Sequence, residues 1–465
     1  MVEKFLDWLR VKKKSTPYSA KLRLESLEAR ENPVVANYWL GVNGDFTDPQ
    51  NWSYDLPEEE QDLYFVGNLG GLGGPGIPLP PGAGVNASTT FVEGAHFLPP
   101  PYAPQTHDFP SKYAGIHILD GYSGTLTMPF DIEFGSYTQE SGNTSTPGTN
   151  VTVTGGLFWT GGIINTSSTA GELRLEGGPG GVIGTNASTV NSGSKIVLKQ
   201  NEADIGANAT IRGTLHLLNG VGIDVLTGCL LQLGDELPGS KSETISTTGT
   251  ASVLVRGQVY SIGGVLSDLG VLVDGGRLTV MWGGLKVTGM AETSAVSVKM
   301  TSGEIRIWNE ETLEATYGVR MEDGELRTMG VDNGMIEQTA TIDGTLTVYG
   351  GSIKLGQGLI ATFTTLKVTD TVKLYGGTFY TDVNVPQKAL FDRIETEKTM
   401  DFTSSFKIDV TAMNGLANTD DIWWGVLYAQ NGFVDENVVP EVTDPANWKT
   451  PRQSNDHKSL AVEKK

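Results

Sequence analysis

Short runs of alternating apolar and polar residues, each opened by a glycine, recur along this sequence. Examples are Gly276-Arg-Leu-Thr-Val280, Gly303-Glu-Ile-Arg-Ile307 and Gly344-Thr-Leu-Thr-Val348. Successive side chains of a β-strand point to opposite faces, so each run predicts a short strand with one apolar face. The opening glycines at 257, 276, 303, 324 and 344 are 19, 27, 21 and 20 residues apart. A period of about 20 residues is typical of one coil of a parallel β-helix.

A single coil of this length cannot bury its inward side chains alone, so stacking of successive coils is expected to build the core. We expect Leu278, Ile305, Leu326 and Leu346 to point into one apolar column. The predicted fold class is all-β: a right-handed, single-stranded parallel β-helix with N-terminal and C-terminal caps.

One alternative remains at this point. Two alternating runs joined by Tyr349-Gly-Gly-Ser352 also suit a hairpin with a primed turn, which would make antiparallel β-sandwich domains. Recurrence at coil length, rather than at the spacing of about 8–12 residues typical of sandwiches, favours the β-helix.

Composition supports many short strands and excludes several function classes. The chain has 60 glycines in 465 residues and only 19% charged residues. Its net charge of −21 would repel a phosphate backbone, so nucleic acid is not an expected partner. The single cysteine, Cys229, cannot form an internal disulfide, and no Cys/His cluster has zinc-ligand spacing. We therefore expect no cofactor and no metal ion. No segment is apolar and long enough to predict a membrane span.

Two motifs stand out near the start of the sequence. The run Leu24-Glu-Ser-Leu-Glu-Ala-Arg-Glu-Asn-Pro33 follows a basic, weakly amphipathic segment. It resembles the leader of large exported surface proteins of planctomycete bacteria, and this resemblance implies export to the cell surface. The segment from Trp39 to Trp52 resembles the opening motif of bacterial β-helical surface proteins related to autotransporter passengers. Its Asn43, Asp45, Asp48 and Asn51 are expected to shape a turn, with calcium binding as the alternative.

The domain organisation follows from these features and from where the repeat rhythm stops. After Tyr380 the rhythm breaks, and bulky residues such as Trp423 and Trp424 suit a terminal cap. The predicted parts are a basic targeting leader (1–33), an N-terminal cap with a Gly/Pro-rich loop (34–114), β-helix repeats (115–385), a C-terminal cap (386–445) and a flexible tail (446–465).

The sequence shows no catalytic constellation. The five histidines are scattered, and the recurring arginines occupy outward strand positions where solvated charges are expected: Arg256, Arg277, Arg306 and Arg327. The candidate binding residues are Trp282, Tyr349 and Tyr375, because each precedes a Gly-Gly pair and could join an exposed ladder that stacks on sugar rings. A purely structural aromatic stack is the alternative.

We therefore expect a non-catalytic structural or adhesive protein at the cell surface or outside the cell. Its expected partners are cell-envelope or extracellular polysaccharide, or another surface protein. A carbohydrate-binding or polysaccharide-degrading β-helical protein is the alternative.

Overall fold

The computed structural model describes an all-β protein whose strands are mostly parallel. It describes residues 35–465 except for these gaps: 42–43, 68–86, 100, 102–104, 148, 160–161, 166–171, 177–180, 184–187, 192–194, 200–207, 212–213, 218–222, 234–243, 292–294, 330–336, 358–362, 385–390, 404, 414–422, 436–437 and 464. The predicted leader therefore lies outside the described residues.

Between Val35 and Leu233 the structure describes nineteen strands, with a 3-10 turn at Pro49–Asn51 between the first two. They are β1 (Val35–Tyr38), β2 (Gln61–Phe65), β3 (Thr89–Thr90), β4 (Gly94–Phe97), β5 (Thr106–Phe109), β6 (Lys112–Ile118), β7 (Thr125–Thr127), β8 (Ile132–Gln139), β9 (Asn143–Ser145), β10 (Val151–Trp159), β11 (Ile163–Asn165), β12 (Glu172–Glu176), β13 (Gly181–Ile183), β14 (Ser188–Asn191), β15 (Lys195–Lys199), β16 (Asn208–Ile211), β17 (Thr214–Leu217), β18 (Ile223–Val225) and β19 (Leu230–Leu233).

The second half contains the longest strands and the C-terminal pairings. They are β20 (Thr244–Val255), β21 (Gln258–Val287), β22 (Val298–Trp308), β23 (Thr312–Ala315), β24 (Val319–Met321), β25 (Glu325–Met329), β26 (Glu337–Asp343), β27 (Leu346–Val348), β28 (Ser352–Gln357), β29 (Phe363–Val368), β30 (Val372–Leu374), β31 (Thr378–Asn384), β32 (Arg393–Thr396), β33 (Met400–Phe402), β34 (Lys407–Met413), β35 (Trp423–Ala429), β36 (Glu441–Val442), β37 (Arg452–Gln453) and β38 (Ser459–Glu463).

Strands pair in parallel with strands about one repeat away in the sequence, and they fall into three series that we call ladders. Ladder one contains β24, β27, β30 and β33. Ladder two contains β25, β28, β31 and β34. Ladder three contains β23, β26, β29 and β32. The long strands β21 and β22 contribute to more than one ladder.

These pairings show that the antiparallel-sandwich alternative is wrong for this region. The runs on either side of Tyr349-Gly-Gly-Ser352 are β27 and β28. β27 pairs in parallel with β24 and β30, whereas β28 pairs in parallel with β25 and β31. The turn between them therefore leads from ladder one to ladder two and does not close a hairpin.

The predicted apolar column is correct for three residues and wrong for the fourth. Leu278, Ile305 and Leu326 are paired in register, and the next member is Ile353. Leu346 is equally buried but belongs to ladder one, where it pairs with Val319 and Val372.

The predicted series of glycines also changes ladder after Gly324. Gly276, Gly303 and Gly324 lie in one column at the start of ladder two, where each Cα faces the backbone of the previous glycine. The next members are Gly351 and Gly377, whereas Gly344 lies outside this column. We call these five residues the glycine column. A side chain there would collide with the neighbouring backbone, so glycine permits the close approach.

Parallel pairing extends beyond the segment predicted to hold the repeats. β1 and β2, both within the predicted N-terminal cap, pair with each other, and β2 pairs onward with β6 at the start of the predicted repeat segment. Ladder two continues from β34 to β36 within the predicted C-terminal cap. Trp39 and Trp52 are buried at the N-terminal end in edge-to-face contact, with ring centroids 5.1 Å apart.

The flexible-tail prediction for residues 446–465 is wrong for the described part of that segment. β38 pairs antiparallel with β35 and with β37. Its Leu460 and Val462 are fully buried, and Trp448 packs edge-to-face against Trp424. The segment covers one end of the core. Within the described residues, no helix has the length and apolar character needed to cross a bilayer.

Candidate functional site

Two of the three predicted aromatic residues come together, on the turn from ladder one to ladder two. Tyr349 follows β27 and Tyr375 follows β30, and their ring centroids are 5.5 Å apart with planes inclined by 53°. The positions are adjacent because β27 and β30 pair in register. The Tyr349 side chain is 48% exposed.

Charged side chains surround this pair, which we call the tyrosine patch. The Arg320 guanidinium lies over the Tyr349 ring, 4.8 Å from its centroid. The Tyr375 hydroxyl donates to Asp401 Oδ2 at 2.9 Å. That hydrogen bond stabilises the neutral phenol and raises the Tyr375 pKa, with burial and the Asp401 charge acting in the same direction. The patch therefore offers an aromatic face, a guanidinium and a carboxylate within a short distance.

Trp282 lies on a different turn, between the parts of β21 that join ladder two and ladder three. Its side chain is 54% exposed and meets Trp308 edge-to-face, with centroids 5.6 Å apart. The backbone φ of Trp282 is +39°, a left-handed value that bulky residues seldom adopt. The three predicted aromatic residues therefore do not form one ladder. Tyr349 pairs with Tyr375, and Trp282 pairs with Trp308.

The arginines on ladder two form ion pairs with glutamates of the same ladder. Glu304 accepts from Arg277 at 2.8 Å and from Arg306 at 2.6 Å, and Glu325 binds Arg327 and Lys354. Burial alone would raise the Glu304 pKa, but the hydrogen bonds from Arg306 and Arg277 outweigh burial and lower it. These charges largely neutralise one another and hold adjacent strands together.

In the segment from Trp39 to Trp52, polar side chains accept hydrogen bonds from neighbouring residues of the same segment. Asp45 Oδ1 accepts from Thr47 N and Oγ1 at 2.9 and 2.8 Å, and Asp48 Oδ1 accepts from Gln50 N at 2.9 Å. Asn43 lies outside the described residues. Across the described residues, no group of three or more His, Cys, Asp or Glu side chains has a metal-binding arrangement.

Sequence reasoning missed a buried carboxyl group, Asp392, next to β32. Its Oδ1 accepts from Thr364 N at 2.7 Å and its Oδ2 from Asp382 N at 3.0 Å. Burial raises the Asp392 pKa to about 7, and the charge of Asp382 adds to the effect, whereas the two backbone hydrogen bonds oppose it. Asp392 therefore joins three chain segments through a group that titrates near neutral pH. No local motif signals it.

This group predicts a pH dependence of stability. Because the folded-state pKa is raised above the ordinary value, the protein is most stable with Asp392 protonated and loses that stability as pH rises through about 7. We expect the free energy of unfolding to fall by about 2–3 kcal/mol between pH 5 and pH 8. Urea denaturation at both pH values measures this.

A matched pair of variants assigns the pH effect. Asp392→Asn removes the titrating proton, so its stability should change little over that range. Asp108→Asn, at an exposed position of β5, should keep the parent's dependence. An Asp392→Asn protein with an unchanged pH profile would contradict the assignment.

No protein-family model matches this sequence, and no curated protein is measurably similar to it.

Proposed function

We propose that this protein is a right-handed parallel β-helix that acts as an exported, non-catalytic structural or adhesive element at a cell surface. The observation that carries the proposal is the repetition of parallel, in-register pairing in three ladders. A chain that visits three ladders in turn and returns to the first, each time one strand further on, winds as a coil.

Such a winding suits a scaffold. The continuous apolar core and the glycine column favour a rigid body that displays the same outward position on successive strands. The strong net negative charge favours solubility of an extended surface. In this proposal residues 1–33 direct export, on the strength of their resemblance to surface-protein leaders.

A second candidate function, carbohydrate binding, is favoured by the tyrosine patch. The exposed face of Tyr349 is suited to stack on a sugar ring, and Arg320 and Asp401 provide a donor and an acceptor for sugar hydroxyls. This function would give the scaffold its adhesive surface.

Retention on polysaccharides tests both functions. Beads coated with the protein are incubated with insoluble cell-envelope preparations and a panel of neutral and acidic polysaccharides, while new reducing ends and unsaturated uronate are measured. We expect retention on at least one material without bond cleavage. Tyr349→Ala should lower retention several-fold, whereas Tyr54→Ala, which removes a 68% exposed tyrosine elsewhere, should not.

Each contrary outcome has a defined meaning. Cleavage products would replace the non-catalytic proposal with an enzymatic one. If the protein is retained on none of the materials, the adhesive proposal is overturned. If the Tyr349→Ala and Tyr54→Ala proteins are retained equally, the tyrosine patch does not contribute to adhesion.

A further inference from the structure

A column of aromatic and polar side chains lies on the outward face of the N-terminal strands. Tyr64 of β2 pairs with His117 of β6, His117 with Thr138 of β8, and Thr138 with Phe158 of β10. The Tyr64 and His117 rings are stacked, with centroids 4.5 Å apart and planes inclined by 21°. Phe158, at the far end, is 51% exposed. Tyr38 of β1 continues the stack beneath Tyr64, with centroids 5.0 Å apart.

A second outward column runs beside the first, two residues earlier on each strand. Asp62 pairs with Gly115, Gly115 with Ser136, and Ser136 with Gly156. A Cβ on Gly115 would lie 2.3 Å from Ser136 Oγ, 2.5 Å from Asp62 Oδ1 and 3.2 Å from His117 Nε2. The three polar atoms therefore converge over a residue without a side chain.

A serine, a histidine and an aspartate at one point raise the question of nucleophilic catalysis. In a catalytic triad the histidine lies between the other two, with one ring nitrogen facing the serine and the other facing the carboxylate. Here His117 Nδ1 contacts Thr138 Oγ1 at 3.1 Å, and Asp62 Oδ1 lies 3.9 Å from Nε2, the nitrogen that faces the glycine. The arrangement is a hydrogen-bonding cluster beside an aromatic stack, and it lacks the order of a triad.

We propose that this outward surface, the β2–β10 face (Asp62, Tyr64, His117, Ser136, Thr138 and Phe158), binds a neutral oligosaccharide that runs across the strands. Neighbouring strands lie about 4.8 Å apart, close to the length of one pyranose ring, so successive sugars meet equivalent positions. The aromatic column contacts the apolar sugar faces, while Asp62 and Ser136 bind hydroxyl groups.

Charge decides between neutral and acidic sugars. Asp62 contributes a carboxylate at the β2 end of the surface, and the whole chain is acidic, so a uronate polymer would be repelled. The inference rests on the adhesive function proposed above, but it assigns the ligand to a surface separate from the tyrosine patch.

Calorimetric titration of the full chain with cellotetraose, chitotetraose and tetragalacturonate tests the proposal. We expect binding of at least one neutral tetrasaccharide and no binding of tetragalacturonate. Phe158→Ala should weaken that binding about fivefold, and Asp62→Ala about tenfold or more. The control Phe97→Ala, at a 77% exposed aromatic residue on β4, should leave the affinity unchanged.

The proposal is overturned if the parent binds neither neutral tetrasaccharide, or if Phe158→Ala and Asp62→Ala bind as tightly as the parent. Because Phe158 is exposed, its replacement tests the surface even where Asp62→Ala fails to fold. Cleavage of the tetrasaccharide that Ser136→Ala abolishes would overturn the binding-only assignment. Bead retention that survives Phe158→Ala, together with absent tetrasaccharide binding, would reject this site while leaving the adhesive function intact.

Discussion

Gly303→Ala is expected to lower the free energy of unfolding by about 3 kcal/mol or more. Gly303 has a φ of +92°, and a Cβ there would lie 2.2 Å from the backbone oxygen of Gly276. That oxygen belongs to the neighbouring strand segment of ladder two, so it cannot move without disturbing the pairing. The cost of left-handed backbone for an alanine adds to this collision. Urea denaturation followed by circular dichroism measures the change.

Gly275→Ala is the matched control for this variant. Gly275 also has a positive φ, +80°, but the nearest atom to an added Cβ is Ser302 Oγ at 4.0 Å. The control therefore measures the backbone cost alone, which is about 1 kcal/mol. Equal losses in the two variants would show that close packing of the glycine column contributes nothing to stability.

Alternation and glycine spacing predicted the all-β class and three members of one apolar column, but not the register after Leu326. Gly344-Thr-Leu-Thr-Val348 and Gly351-Ser-Ile-Lys-Leu355 have the same local form: a glycine, a hydroxyl residue and an alternating run. Which of them follows Gly324 is decided by pairing between distant strands, because β28 and not β27 lies beside β25. Local patterns carry no such information.

The C-terminal strand illustrates a second limit. Ser459-Leu-Ala-Val-Glu463 alternates over only five residues and lies among charged residues. Its burial depends on β35, whose Trp424 pairs with Val462. A short strand that covers the edge of a sheet, as β38 does, is therefore hard to predict from its own sequence.

The candidate site residues also differ in how far the sequence could predict them. Tyr349 and Tyr375 were predicted together because both end equivalent repeats, and their strands do pair. Trp282 has the same local motif but lies at the turn toward ladder three. Asp62, His117 and Ser136 come from three separate strands, and a long Gly/Pro-rich segment separates the first from the others. Only the pairing of β2, β6 and β8 brings them together.

Leu346→Asp is expected to cost several kcal/mol of stability, on the order of 3–5. Leu346 is fully buried in ladder one between Val319 and Val372. A carboxylate there would lose its hydration and gain no partner among these aliphatic neighbours. Thermal and urea denaturation of the purified variant would show a large fall in the unfolding transition or no cooperative folding.

Thr347→Asp, one residue further along the same strand, is the control that separates burial from the presence of a new charge. Thr347 faces outward, and its partners on the adjacent strands are Arg320 and Lys373. A carboxylate at this position gains two cationic neighbours and keeps contact with water, so we expect stability to change by less than about 1 kcal/mol. If Leu346→Asp unfolds no more readily than Thr347→Asp, the inward and outward assignments for ladder one are wrong. The winding proposed for the whole chain then loses its apolar core.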